Sequence, residues 1–243
     1  MKIEILPQPD STTCGPTCLH AMYRYFGKDM PLNQVIEQIH RLDHGGTLAV
    51  FLATHALRRG FATTIYTYNL EMFDPTWFDA RAHAPNVIER LRRQLAAKDA
   101  ITYAQATDGY IDFIEQGGIL KFEDLTIDLI VRYLKRDIPL LTGLSATYLY
   151  HSAREHGPNC EYDDIYGYPS GHFVILGGYR ADTRTVQIID PMHPNPMAPT
   201  QHYEINIDRV IGAILLGVLT HDANLLVIEP GKPLPQASCR YSS

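Results

Sequence analysis

Apolar residues change their spacing once along this 243-residue chain, and that change restricts the fold more than any other feature. From Cys14 to Phe26 the residues Cys18, Leu19, Met22, Tyr23 and Phe26 recur at steps of three and four, which predicts a helix with one buried face, closed by Gly27. In the second half the pattern becomes short continuous apolar runs. Gly171 to Tyr179 (GHFVILGGY) and Val186 to Asp190 (VQIID) read as buried strands joined by the polar turn Arg180 to Thr185, the clearest hairpin in the chain. Helices gather early and strands late. That segregation predicts an α+β fold rather than an alternating α/β one.

The remaining segments fill in this order. Lys2 to Leu6 alternates like a short strand, and Asp10-Ser11-Thr12-Thr13 offers side-chain oxygens to cap the first helix. Further helices are expected at Leu32 to His40 and at Leu48 to Arg59, the latter capped by Thr47 and stopped by Gly60. Phe61 to Tyr68 reads as a strand, Ala84 to Lys98 as a helix, and Ile101 to Glu115 as a mixed segment. Another helix falls within Phe122 to Lys135, and Pro139 to Leu144 is a buried strand. Ala146 to Ser170 is the longest apparent loop and carries Tyr148, Tyr150, Tyr162, Tyr166 and Tyr168. Pro191 to Thr200 is irregular, Ile205 to Leu219 reads as a helix, Asn224 to Glu229 as a last strand, and the tail from Pro230 as frayed. Residues 1–243 are read as a single domain, with an insertion at about 69–123 and an extended loop at about 146–170.

The formal charge of −6 argues against a nucleic-acid partner, because affinity for phosphate backbones comes from clustered Lys and Arg. The densest basic run, Arg90, Arg92, Arg93 and Lys98, reads as the wet face of a helix. The longest apolar stretch, Val210 to Leu219, is too short to span a bilayer, and Met1 to Asp10 lacks a signal-peptide pattern. A cytosolic protein is expected. Cys14, Cys18, Cys160 and Cys239 are too few and too scattered for a disulfide framework, so they are expected as free thiols.

A thiol acts as a nucleophile through its thiolate, which the positive end of a helix and a nearby imidazolium both favour. Cys14 stands at the expected N-terminus of the first helix; Gly15 is expected to leave room for a substrate close to the backbone, and Pro16 sits in the first turn, where no N–H is needed. Cys18 lies one turn on, with Met22, and reads as core. His172 opens a strand, a rigid placement for a general base. Asp190 ends the next strand of that hairpin, where a carboxylate could orient the imidazole. Taken singly, each has an ordinary structural alternative: an inert thiol, a satisfied histidine, an Asp-Pro turn.

Gln8 to Leu19 (QPDSTTCGPTCL), Gly171 to Gly177 (GHFVILG) and Asp190-Pro191 together closely resemble the bacteriocin-processing peptidase family. These papain-like cysteine peptidases cut after double-glycine leaders and usually form the N-terminal domain of an export transporter. Gln8 stands six positions before Cys14, as a glutamine does before the cysteine of that family. The resemblance touches most of the first 66 residues and then Pro139 to Pro191. It implies a papain-like cysteine peptidase fold, with the nucleophile helix packed on an antiparallel sheet. It also implies Cys14 as nucleophile, His172 and Asp190 completing a triad, Gln8 donating to the oxyanion, a peptide or protein substrate, and no cofactor or metal. The chain departs from the family in length and in having no transporter attached, which points to a freestanding relative.

Other motifs add little. His40 and His44 share a helical spacing that would suit a metal pair, but no third ligand is placed. Gly45-Gly46 and Gly177-Gly178 lack the strand-to-helix context of a phosphate loop. Gly117-Gly118 is a double glycine, a pair also common in turns. Two alternatives to a peptidase remain: another acyl-transfer enzyme on the same triad, an amidase or peptide transferase, or a catalytically silent peptide-binding domain.

Overall fold

The computed structural model describes residues 1–42, 45–98, 101–220 and 223–231. Eight α-helices occur among them: α1 (Cys14–Tyr25), α2 (Leu32–Gln38), α3 (Ala49–Arg58), α4 (Val87–Ala97), α5 (Ile101–Glu115), α6 (Ile127–Leu134), α7 (Ala146–Tyr150) and α8 (Ile207–Leu216). Seven strands form one sheet: β1 (Phe61–Thr67), β2 (Ile119–Lys121), β3 (Leu140–Ser145), and, after the two-stranded hairpin β4 (Glu155–His156) and β5 (Glu161–Tyr162), β6 (Gly171–Arg180), β7 (Thr185–Ile189), β8 (His202–Asn206) and β9 (Asn224–Pro230). Their order is β2-β1-β9-β3-β6-β7-β8, antiparallel throughout except that β2 lies parallel to β1. A parallel neighbour needs a long crossover, and here α4 and α5 provide it.

Both faces of the sheet are covered, which is why the central strands read as unbroken apolar runs rather than as alternating ones. On β6, Phe173 and Ile175 join the core formed with α1, α2 and α3, while Val174 and Leu176 join the core formed with α6, α7 and α8. Helix α1 is buried from Cys14 through Tyr23, and the Cys18 thiol donates to the Phe173 carbonyl at 3.3 Å. Gly15 permits that approach. A methyl group there would stand 2.9 Å from Thr47 Cγ2, 3.1 Å from Leu52 Cδ1 and 3.2 Å from Phe173 Cδ2. The room left by this glycine is therefore taken by the protein's own side chains.

Several expectations change at this level. Lys2 to Leu6 joins no ladder; the segment is held instead by the Gln8 N–H on the Pro191 carbonyl and by Gln201 Nε2 on the Leu6 carbonyl. The Thr47 hydroxyl donates to the His40 carbonyl, and Leu48, with no side-chain cap, opens α3. Ile101 to Glu115 is helical throughout, and Ile205 to Leu219 is not one helix: residues 202–206 form β8, and Asn206 Oδ1 caps α8 by accepting from the Asp208 N–H. The segment from Ala146 begins as α7, capped by Ser145 Oγ on the Tyr148 N–H, and carries the β4–β5 hairpin. Gly117, at φ +90°, ends α5 in a left-handed turn, with Gly118 N–H reaching back to the Phe113 carbonyl. This double glycine is a helix stop. His44, Cys239 and the tail 232–243 lie outside the described residues.

Candidate active site

The α1 N-terminus and the start of β6 meet at one end of the sheet. The Asp10-to-Thr13 cluster, expected as a cap, folds into a turn on itself: Asp10 Oδ1 accepts from Thr12 N–H and Oγ1, and Thr13 Oγ1 donates to the Asp10 carbonyl. Thr13, at the N-cap position, makes no side-chain bond to the helix. The cap residue thus supplies no side-chain acceptor to the first-turn N–H groups of α1, the positive end of the helix, where Cys14 is the first residue.

His172 and Asp190 come together by register. In the antiparallel ladder Ile175 pairs with Ile189, so Asp190 stands level with Val174, two residues from His172 and on the same pleat face. Diagonal neighbours of this kind lie within reach of long side chains. His172 Nε2 meets Asp190 Oδ1 at 2.8 Å, with both residues buried. Nε2 is engaged there, which leaves Nδ1 as the other ring nitrogen, and Cys14 contributes to the electrostatics of the ring. Burial alone disfavours a charged ring; the Asp190 carboxylate outweighs it and raises His172 above the usual imidazole range. Burial likewise disfavours ionised Asp190, but His172, the Met192 N–H and the Tyr203 hydroxyl hold it below the usual carboxylate range.

Two residues not singled out by their motifs complete this carboxylate. Tyr150 OH and Tyr203 OH each donate to Asp190 Oδ2 at 2.7 Å. Tyr150 was hidden in an apparent loop that is in fact α7. Tyr203 lies in His-Tyr-Glu-Ile-Asn, between the irregular Pro191–Thr200 and the helix expected from Ile205, and its residues alternate in burial as a strand. Gln201 adds a bond from Nε2 to the Asp190 carbonyl.

Gln8 is tied to the same corner through Pro191, and its side-chain Nε2 donates to the Asp10 carbonyl at 2.8 Å, leaving one amide proton uncommitted. Cys18 is wholly buried, and burial pushes its thiol well above the ordinary range, as a core residue requires. Cys160 lies exposed between β4 and β5. Among the described residues no three His, Cys, Asp or Glu side chains converge as metal ligands, and the His40 ring packs edge-on to Phe51. Among those residues, too, no helix is long and apolar enough to cross a membrane.

No curated protein matches the chain. Similar solved structures include a double-glycine-motif protease from an AMS/PCAT transporter in complex with the leader peptide (14% identity, 94% of this chain and 92% of that one, TM-score 0.44). Others are the peptidase domain of Streptococcus ComA, a bi-functional ABC transporter involved in a quorum-sensing pathway (14% identity, 94% and 99%, TM-score 0.43), and a C39-like peptidase from Bacillus anthracis (11% identity, 93% and 94%, TM-score 0.49). Residues 1–208 match the Peptidase_C39 like family, and the chain, with its Cys14-bearing helix packed on a mostly antiparallel sheet, belongs to that family of papain-like cysteine peptidases.

Proposed function

We propose that the chain is an active cysteine peptidase in which Cys14, His172 and Asp190 form the catalytic triad and Gln8 helps form the oxyanion hole. The observation that carries this reading is the buried His172–Asp190 pair at 2.8 Å, coupled to a cysteine on the first residue of a helix. In the reaction Cys14 Sγ attacks the peptide carbonyl, and the negative charge moves to the carbonyl oxygen. Gln8 Nε2 and the Cys14 N–H are the donors assigned to that oxygen. Collapse breaks the C–N bond as the imidazolium gives its Nδ1 proton to the leaving amine, and an S-acyl enzyme remains. Water then attacks the thioester, its proton passing to His172, and the acid product leaves as the thiolate–imidazolium pair re-forms. Asp190 keeps the ring in one orientation through both steps.

In this reading residues 1–243 act as one peptidase domain, with 69–123 and 146–170 as elaborations of it. The second elaboration borders the site. Tyr162, Ile165, Tyr166 and Tyr168 are exposed by 62%, 71%, 70% and 76%, so they do not cover the core, and the segment runs directly into Gly171 and His172. These rings form the wall against which substrate residues before the cut bond rest.

The test is product analysis on a peptide library, with and without added amine acceptors, for wild type, Cys14→Ala and His172→Gln. New peptide termini formed by wild type alone, undiminished by amines, are expected. Turnover by Cys14→Ala would refute the nucleophile assignment, and amine adducts in place of free acids would make the enzyme a transferase.

A further inference from the structure

The carboxylate of Asp190 has no lone pair to spare. Oδ1 accepts from His172 Nε2 at 2.8 Å and from the Met192 N–H at 2.9 Å, while Oδ2 accepts from Tyr150 OH and Tyr203 OH, each at 2.7 Å. An ionised carboxylate offers about four acceptor sites and no donor, so this arrangement suits the anion. It matters because Asp190 is fully buried, and a buried carboxylate left without partners takes up a proton. His172 would then lose the charge that opposes its own burial.

We propose that Tyr150 and Tyr203 are positioning residues for the peptidase reaction: two phenol donors that hold Asp190 ionised and fixed in rotation, so that His172 keeps its proton and its aim at Cys14. The proposal rests on the triad reading above. The two phenols arrive from different elements, α7 and β8, on either side of the β6–β7 hairpin in the chain. Each is buried among residues of the α6–α7–α8 core, so its rotation is restricted by packing. Their donor role is secure across the working range, because burial, then the charge of Asp190, pushes both phenols far above their ordinary ionisation range. The titratable groups acting on the pair are Cys14 and Cys18 from α1, Tyr150 from α7 and Tyr203 from β8. Both hydroxyls are bonded to Asp190 Oδ2, and although Cys14 also acts on Tyr150 by charge, the bonded route from the phenols to the pair runs through Asp190.

A role in packing alone predicts a different result from a role in charge. Tyr150→Phe, Tyr203→Phe and the double variant keep the rings and remove only the hydroxyls. For each, the rate of Cys14 alkylation by iodoacetamide is followed from pH 3.5 to 8, and kcat and KM are measured on a cleaved peptide. The acid limb of alkylation and of kcat/KM is expected to move to higher pH by about one unit per phenol removed. Turnover is expected to fall about tenfold per phenol with KM nearly unchanged. An acid limb that stays at its wild-type position in the variants overturns the proposal, whether or not turnover falls. If the double variant does not fold, the single variants decide by the same criterion. His172→Gln separates the two levels: if it leaves Cys14 alkylation unchanged, the triad reading fails and takes the proposal with it. If it alters alkylation while the phenylalanine variants do not, only the role of the tyrosines falls.

Discussion

Replacing Asp190 by Asn removes one charge and almost no volume, so its effect isolates the electrostatics of the pair. The amide oxygen can still accept from His172 and Met192, but its NH2 then faces two phenols that formerly donated to a carboxylate. Charge-assisted bonds worth about 1.5–3 kcal/mol each give way to neutral ones worth about 1. The larger consequence falls on His172. Burial lowers its proton affinity and Asp190 raises it most; with that charge gone, burial is opposed by Cys14 alone and the ring drops back toward its ordinary 6.5. At pH 7.5 about a tenth of such rings are protonated, and at pH 6 about three quarters. Lost population alone therefore costs about tenfold at pH 7.5, and lost orientation of about 2.7 kcal/mol costs another hundredfold. The expected deficit in kcat/KM is about a thousandfold at pH 7.5, narrowing about eightfold by pH 6. The wild type keeps its imidazolium at both values, because a raised histidine loses its proton, and the stability tied to it, only as pH climbs through the folded-state value. Peptide cleavage measured at the two pH values, with a thermal melt to show that the variant is folded, is the assay. A deficit under tenfold at pH 7.5, or one that does not change with pH, would refute the assignment of Asp190 as the group that charges His172.

Three further outcomes are expected. Iodoacetamide at pH 6 modifies Cys14 well before Cys18, whose thiol is buried and pushed up by burial, and before Cys160, which burial and Glu155 also push up; equal rates by mass spectrometry would mark Cys14 as inert. Replacing Tyr162, Ile165, Tyr166 and Tyr168 together by Ala weakens peptide cleavage at least tenfold, about 1.4 kcal/mol, with Cys14 alkylation unchanged, since Tyr150 at the base of the segment is kept. Cleavage at the original rate would send the search for specificity to residues 69–123. Gly15→Ala sets a methyl group 2.9 Å from Thr47 Cγ2; overpacking of about 1–3 kcal/mol exceeds the helix-propensity gain of about 1, so the melting temperature falls by a few degrees, and a melt at or above wild type would disprove the close contact.

The sequence by itself determined the α+β layout, the helix that opens at Cys14, and the hairpin of β6 and β7, because each is written in local spacing: three and four for a helix, unbroken apolar runs for a covered strand. It also named Cys14, His172, Asp190 and Gln8, through a motif whose residues sit in short contiguous stretches. What it did not carry was whatever depends on which elements become neighbours. A strand from 202 to 206 is five residues long and gains its ladder only when β7 lies beside it. Helix α7 is five residues, too short to hold itself without Ser145 capping it and the core covering Leu149 and Tyr150. Gly15 looked like space for a substrate, and only the approach of Thr47, Leu52 and Phe173 shows what fills it. The tyrosines on Asp190 belong to the same class: Tyr150 lies 40 residues before it in the chain and Tyr203 13 after, and only the packing of α7 and β8 around the β6–β7 hairpin brings both phenols to one carboxylate oxygen. Local spacing records which face a side chain takes, whereas a buried charge is satisfied by whichever donors the tertiary fold delivers.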